Sequence, residues 1–366
     1  MSDIAIAALL AATVLVASTI SVEIGLSVAL IELLAGVIVG DAFHLAVPTW
    51  LGFLGSFAGI LLTFQAGAEV DIVQFRREWK ASLSIGLVSF FAPFTVVAVL
   101  VETGLNRELV GKRLMSATFV TDIATVAGLT ILFVKPTLWV VPFALASLAS
   151  IAALPRVATW FFARYGNRVI EPEIKLVFAV LFLLMWLGGR ANSQAALPAF
   201  VLGLVMSSFY ASHRAEQNRM RVVSFAFLTP FFFLKGGMSV STAALWANLG
   251  ILGVLFVGKM APKLAGVYPL ARKYTAPHAA FTTLLMSTGL TFGTITSLYG
   301  LNAHIIDRTQ FSLLISVVVL SAIVPTAIAQ RFYQPRAREH RDLTAPVPPA
   351  PYARGVSATS RPPSSS

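Results

Sequence analysis

Apolar residues along this chain come neither in strict alternation nor in the spaced stripe of a half-buried helix. They run on. Twelve almost wholly apolar stretches fall at about residues 4–20, 24–40, 50–69, 81–101, 114–134, 137–154, 173–188, 194–210, 222–238, 246–268, 279–299 and 311–330. About 20 apolar residues are what a helix needs to cross the hydrocarbon core of a bilayer. A segment placed there must satisfy its backbone internally, because no water is available to do it. The pattern therefore predicts an all-α polytopic membrane domain over residues 1–330 with about twelve spans. The start, Met-Ser-Asp-Ile, has no basic region, so 4–19 is expected to stay as the first span rather than be cleaved. The longest polar connector, 156–175, mixes Trp160, Phe161, Phe162 and Tyr165 with Arg156, Arg164 and Arg168, and suits either an interfacial amphipathic linker between two bundle halves or a plain loop. Beyond Gln330, Pro, Arg and Ser dominate, and 331–366 is expected to be a disordered cytoplasmic tail.

Composition agrees with the pattern. The chain is 57% hydrophobic and 12% charged, with a mean hydropathy of +0.81, whereas soluble domains are about a quarter charged. Its net charge of +11 sits in short loops and the tail. That distribution reads as topogenic charge facing the cytoplasm and anionic lipid, not as a nucleic-acid surface. Cysteine is absent, which removes disulfides, thiolate catalysis and zinc-thiolate sites.

Orientation adds one conflict. Basic loops at 76–80, 156–168, 213–221, 272–273 and 331–341 place the N-terminus outside and the C-terminus inside, as for a multi-pass protein of a bacterial inner membrane. The loop 106–113, with Arg107, Lys112 and Arg113, is equally basic, yet only the span 81–101 separates it from 76–80. Two successive cytoplasmic loops need an even number of crossings between them, so a span is expected to be missing here.

The chemistry is expected at Asp122, read as the only carboxylate in the middle of a long apolar run, Leu114 to Phe133, and preceded by Thr121. A charge near the bilayer midplane costs at least about 2.5 kcal/mol and usually serves ion or proton traffic. A desolvated carboxylate there can hold either a proton or a small cation, and the competition between them is the chemistry of antiport. Lys259 lies mid-segment and is expected to pair with Asp122. Lys263, nearer a segment end, is expected to snorkel to the interface. Lys235 is ambiguous, since its segment could stop there. Ser287 to Thr296 packs two glycines and five hydroxyls into an apolar segment, which suits either a broken helix lining an ion path or close helix packing. His278 and His304, at segment ends, read as surface residues.

In this order, Gly36-Val-Ile-Val-Gly40-Asp, Leu61-Leu-Thr-Phe-Gln-Ala-Gly67-Ala-Glu69-Val-Asp71, Phe119-Val-Thr121-Asp122, Phe227-Leu-Thr-Pro230-Phe-Phe-Phe and Ser287-Thr-Gly-Leu-Thr-Phe-Gly293 resemble the sodium/hydrogen exchanger domain of the monovalent cation:proton antiporters, on the branch that includes bacterial potassium-efflux antiporters. The resemblance runs from about residue 20 to 330. It implies an inverted-repeat fold with two broken crossing helices, a thin dimerisation domain and hence a homodimer, with sodium or potassium and protons as the transported partners and no cofactor. Carried over, it makes Asp122 the ion- and proton-binding carboxylate, Thr121 its neighbour and Lys259 the basic partner. The helix breaks and ion path fall at Thr95, Thr288, Gly289, Thr291 and Gly293. Two departures stand out. Thr121 occupies a position where many relatives have a second carboxylate or an Asn. The sequence before Phe94 also runs directly into Thr95, which resembles the second half of the first crossing helix, so some thirty residues of the family pattern are absent. A second reading stays open on that ground: a non-transporting membrane protein or partner-binding scaffold derived from such an antiporter. Enzyme motifs such as His-Glu-x-x-His or Gly-x-Ser-x-Gly are absent from the sequence, and nothing after Gln330 reads as a nucleotide-binding unit.

Overall fold

The computed structural model describes residues 2–25, 27–70, 77, 79–82, 137–166, 168 and 170–333. Among them there are helices and no strands. The helices are α1 (Asp3–Ile24), α2 (Val28–Ala42), α3 (Thr49–Ala68), α4 (Val140–Tyr165), α5 (Pro172–Arg190), α6 (Ala196–Ser212), α7 (Arg214–Val223), α8 (Thr229–Met238), α9 (Thr242–Ala247), α10 (Leu249–Tyr274), α11 (Ala279–Met286), α12 (Leu290–Asn302) and α13 (Arg308–Phe332). A π-helical turn, Ser224–Leu228, joins α7 to α8.

Helix ends follow local chemistry. Ser2 caps α1, which stops at Gly25, whose φ of 70° is the left-handed conformation that glycine adopts without a Cβ penalty. Pro172 starts α5 where a missing N–H costs nothing. Asp307 and Gln310 form a reciprocal capping box on α13.

Six of the helices, α1, α3, α4, α5, α10 and α13, are individually long and apolar enough to span a membrane. The other expected spans are short or interrupted: α2 has 15 residues and α6 has 17, 222–238 contains the π turn, and 279–299 divides into α11 and α12. The expected spans 81–101 and 114–134 lie almost entirely outside the described residues. The chain is an all-α, multi-pass membrane protein.

One expectation needs correcting. No linker starts at Arg156, because α4 runs unbroken through Pro155 to Tyr165. Arg156 Nη1 donates to Ala152 O at 2.7 Å, and buried Phe162 packs edge-on against Phe209 of α6 with centroids 5.1 Å apart. The aromatic residues that suggested an interfacial segment thus belong to a helix, with Phe162 turned into the bundle and Trp160 exposed.

Packing sorts the helices into two groups. α3 is buried over most of its length and packs most extensively on α6, α2 packs on α8, and α1, α4 and α5 lie outside them. In the second group α10 and α11 pack on α13, as does α12. Contacts between the groups include α8 with α12 and Phe200 of α6 with Phe292 of α12. With lipid as solvent, such contacts depend on close packing, and small residues allow it. A Cβ placed on Gly36 would come within 2.5 Å of Leu234 O, and one on Gly237 within 2.7 Å of Val37 N. α2 and α8 therefore touch backbone to backbone.

Candidate functional site

The second group is built around an interrupted helix. α11 ends at Met286, residues Ser287–Gly289 are non-helical, and α12 begins at Leu290. An α-helix end leaves several carbonyls or N–H groups without intrahelical partners, so this interruption opens two such ends inside the protein. Side-chain hydroxyls cover part of the exposed backbone. Ser287 Oγ donates to Thr283 O at 2.7 Å, Thr288 Oγ1 to Leu285 O at 2.9 Å and Thr294 Oγ1 to Leu290 O at 2.7 Å. Ser287, Thr288, Thr291 and Thr294 are all buried. The result is a buried, oxygen-rich break between an electronegative helix end and an electropositive one.

Two lysines one helical turn apart on α10 face this region. Lys259 Nζ donates to Ser321 Oγ of α13 at 2.8 Å, and Ser321 in turn donates to Val318 O. Lys263 Nζ donates to Met286 O, the last carbonyl of α11, at 3.4 Å. Lys263 does not snorkel as expected: it is buried, with 6% of its surface exposed. The carbonyl end of α11 gives its ammonium a partner inside the protein, so it has no need to reach water. Pro262, between the two lysines, has no N–H to offer the carbonyl of Gly258.

Thr288 and Gly289 lie in the interruption itself, and Thr291 in the first turn of α12. Gly293 does not belong to the break. It is inside α12, where an added Cβ would stand 2.7 Å from Val318 Cγ2, so its role is the close approach of α12 to α13. Asp122, Thr121 and Thr95 lie outside the described residues, as does any pairing of Lys259 with Asp122.

Sequence reasoning missed Glu32. It stands in the middle of α2, is 1% exposed, and neither carboxyl oxygen has a hydrogen-bond partner among the described residues. Asp122 is therefore not the only carboxylate within an apolar run; Ile31-Glu32-Leu33 was the available signal. Lys235 is settled as well: α8 continues past it to Met238, and its side chain is buried against α3. A polar cluster also links α3 to the α7 end of the bundle, where Gln65 Nε2 donates to Met220 O and Ser224 Oγ, Gln217 Nε2 donates to Ala68 O, and Arg221 pairs with Glu69 at 3.3 Å.

The sequence matches the family model described as sodium/hydrogen exchanger, transmembrane, in two pieces, residues 6–132 and 89–332. Among curated proteins, it is 23% identical to the Na(+)/H(+)-K(+) antiporter GerN of Bacillus cereus over 360 residues, covering 84% of this chain and 90% of the relative. It is 22% identical to the probable Na(+)/H(+) antiporter 3 of Methanocaldococcus jannaschii over 280 residues, covering 63% and 70%. In the first alignment, 84% of 366 residues is about 307, fewer than the 360 positions aligned, so GerN carries internal sequence without a counterpart here. Among solved structures, the sodium proton antiporter MjNhaP1 from Methanocaldococcus jannaschii superposes with a TM-score of 0.63 at 12% identity, over 92% of this chain and 100% of that one. That likeness shows a shared fold.

Proposed function

The chain belongs to the sodium/hydrogen exchanger family, and from that premise we propose that it exchanges sodium or potassium for protons across the membrane by alternating access, with Asp122 occupied by each in turn. The observation that carries this reading is the interruption between α11 and α12. A cation leaving water must exchange hydration oxygens for fixed ones, and the end of α11 with Ser287, Thr288 and Thr291 offers buried carbonyl and hydroxyl oxygens. Lys263 already brings positive charge to that carbonyl end. Lys259, held by the neutral hydroxyl of Ser321, is free to give up that bond for Asp122 when the carboxylate is empty. Cation or proton at Asp122 then displaces Lys259, which makes loading by either ion mutually exclusive.

The reading extends to a homodimer in a bacterial inner membrane and to a shortened first crossing helix at Phe94–Thr95. The surplus of the GerN alignment over this chain, and a family match made in two overlapping pieces, support the shortening. The full chain reconstituted in vesicles with an internal pH dye tests the exchange. Sodium or potassium added outside should drive protons out of the vesicles, and the stronger response names the cation. Asp122→Asn, which removes only the titratable charge, should abolish the response. Proton movement at the unaltered rate in Asp122→Asn vesicles would refute the assignment.

A further inference from the structure

We propose that the cavity beside Lys235 binds a small monovalent anion, of halide or short-carboxylate size. Lys235 projects from α8 and is only 6% exposed. Its Nζ donates to Gly52 O at 3.1 Å and Ser56 Oγ at 3.2 Å, both on α3 and both neutral. An ammonium has three donors, so among the described residues one is left over, and the charge itself meets no carboxylate there. A buried charge without a counter-charge is among the most costly arrangements a protein interior can hold. The arrangement is nevertheless built for this side chain. A Cβ on Gly55 would lie 2.7 Å from Lys235 Cδ, so the absence of a side chain there is what lets the lysine stem lie flat on α3 and present its ammonium at a fixed point.

That point borders a cavity of about 230 Å³ between α3, the α5–α6 turn, α8 and α12. Its polar lining is Ser56, Ser193, Gln194, Lys235, Tyr299 and Asn302, and the rest is apolar or glycine. Among the described lining residues none is acidic, and Lys235 and Tyr299 are the only ionisable ones. The one fixed positive charge repels a cation and attracts an anion, and the hydroxyl and amide groups around it supply further hydrogen-bond donors. A halide or formate fits beside Nζ with part of its hydration retained.

The test uses the full chain purified in detergent at constant ionic strength, with chloride or formate titrated against gluconate, and reads the melting temperature. Binding to the folded state raises that temperature saturably. A rise with chloride, with formate or with both is expected, the larger one naming the class of anion. Lys235→Met should lose the rise and Lys235→Arg keep it. Equal melting in chloride, formate and gluconate would overturn the proposal, as would an undiminished rise in Lys235→Met. Should Lys235→Met fail to fold, crystals of the unaltered protein soaked in bromide decide instead: anomalous density in contact with Lys235 Nζ supports the site, and its absence at saturating bromide refutes it. No arm of this experiment requires transport, so its outcome is separable from that of the exchange assay.

Discussion

Gly36→Ala probes a helix contact at which every clashing atom is backbone. The new Cβ would lie 2.5 Å from Leu234 O, 2.9 Å from Leu234 Cα and 3.1 Å from Gly237 Cα, where ordinary contact begins at 3.4 Å. None of these atoms can rotate away, so α2 and α8 must part by most of an ångström. A gap of about 0.5–1 Å forfeits roughly a quarter to a half of the dispersion energy of the atoms that face it. Those atoms include Val39, Leu234 and Met238, which share one apolar cluster with Leu51 of α3. Overpacking of this kind costs about 1–3 kcal/mol, and rigid backbone places it at the upper end. Alanine returns about 0.8–1.0 kcal/mol over glycine in helix propensity, leaving a net loss of about 2 kcal/mol. Gly253→Ala is the control, since a Cβ there meets nothing within 4 Å, and it should be neutral or slightly stabilising. Unfolding midpoints of both variants in mixed micelles titrated with SDS measure the difference. Gly36→Ala unfolding at or beyond the unaltered midpoint, alongside an unchanged Gly253→Ala, would refute the backbone-contact argument.

Two further outcomes follow from the proposed exchange. If Lys259 pairs with Asp122 in the empty state, Lys259→Ala should cost about 3–5 kcal/mol unless the carboxylate takes up a proton, and Lys259→Ala with Asp122→Asn should recover part of that loss in the same SDS titration; strictly additive losses would show that the groups do not interact. Inserting about thirty residues from a close relative between Phe94 and Thr95, the length suggested by the family pattern, should speed cation-driven proton efflux relative to the chain as it stands, because it restores a half-helix end beside Asp122; equal rates from both would sink the shortened-helix reading.

Helix content, membrane setting and family were legible in the sequence because each depends on local properties. An apolar run of about twenty residues can only be helical in lipid, and a clustered Ser-Thr-Gly stretch marks a place where helix is locally weak, whichever helices surround it. Side-chain fate was less accessible. Lys259 and Lys263 sit one turn apart in the same run, yet only the position of α11 and α13 decides that one meets Ser321 and the other the carbonyl of Met286. Gly289 and Gly293 belong to one motif, but Val318, distant in sequence, makes the second a packing residue rather than part of the break. Glu32 was visible as a letter, whereas the fact that nothing among the described residues bonds it is a property of the packed bundle. Lys235 is likewise ambiguous in the sequence, and only its seat on Gly55 and Ser56 of α3 fixes where it lies. Hydrophobicity is summed along the chain and can be read there; the partner of a buried charge is chosen across it, by which helices touch, and only the tertiary structure carries that information.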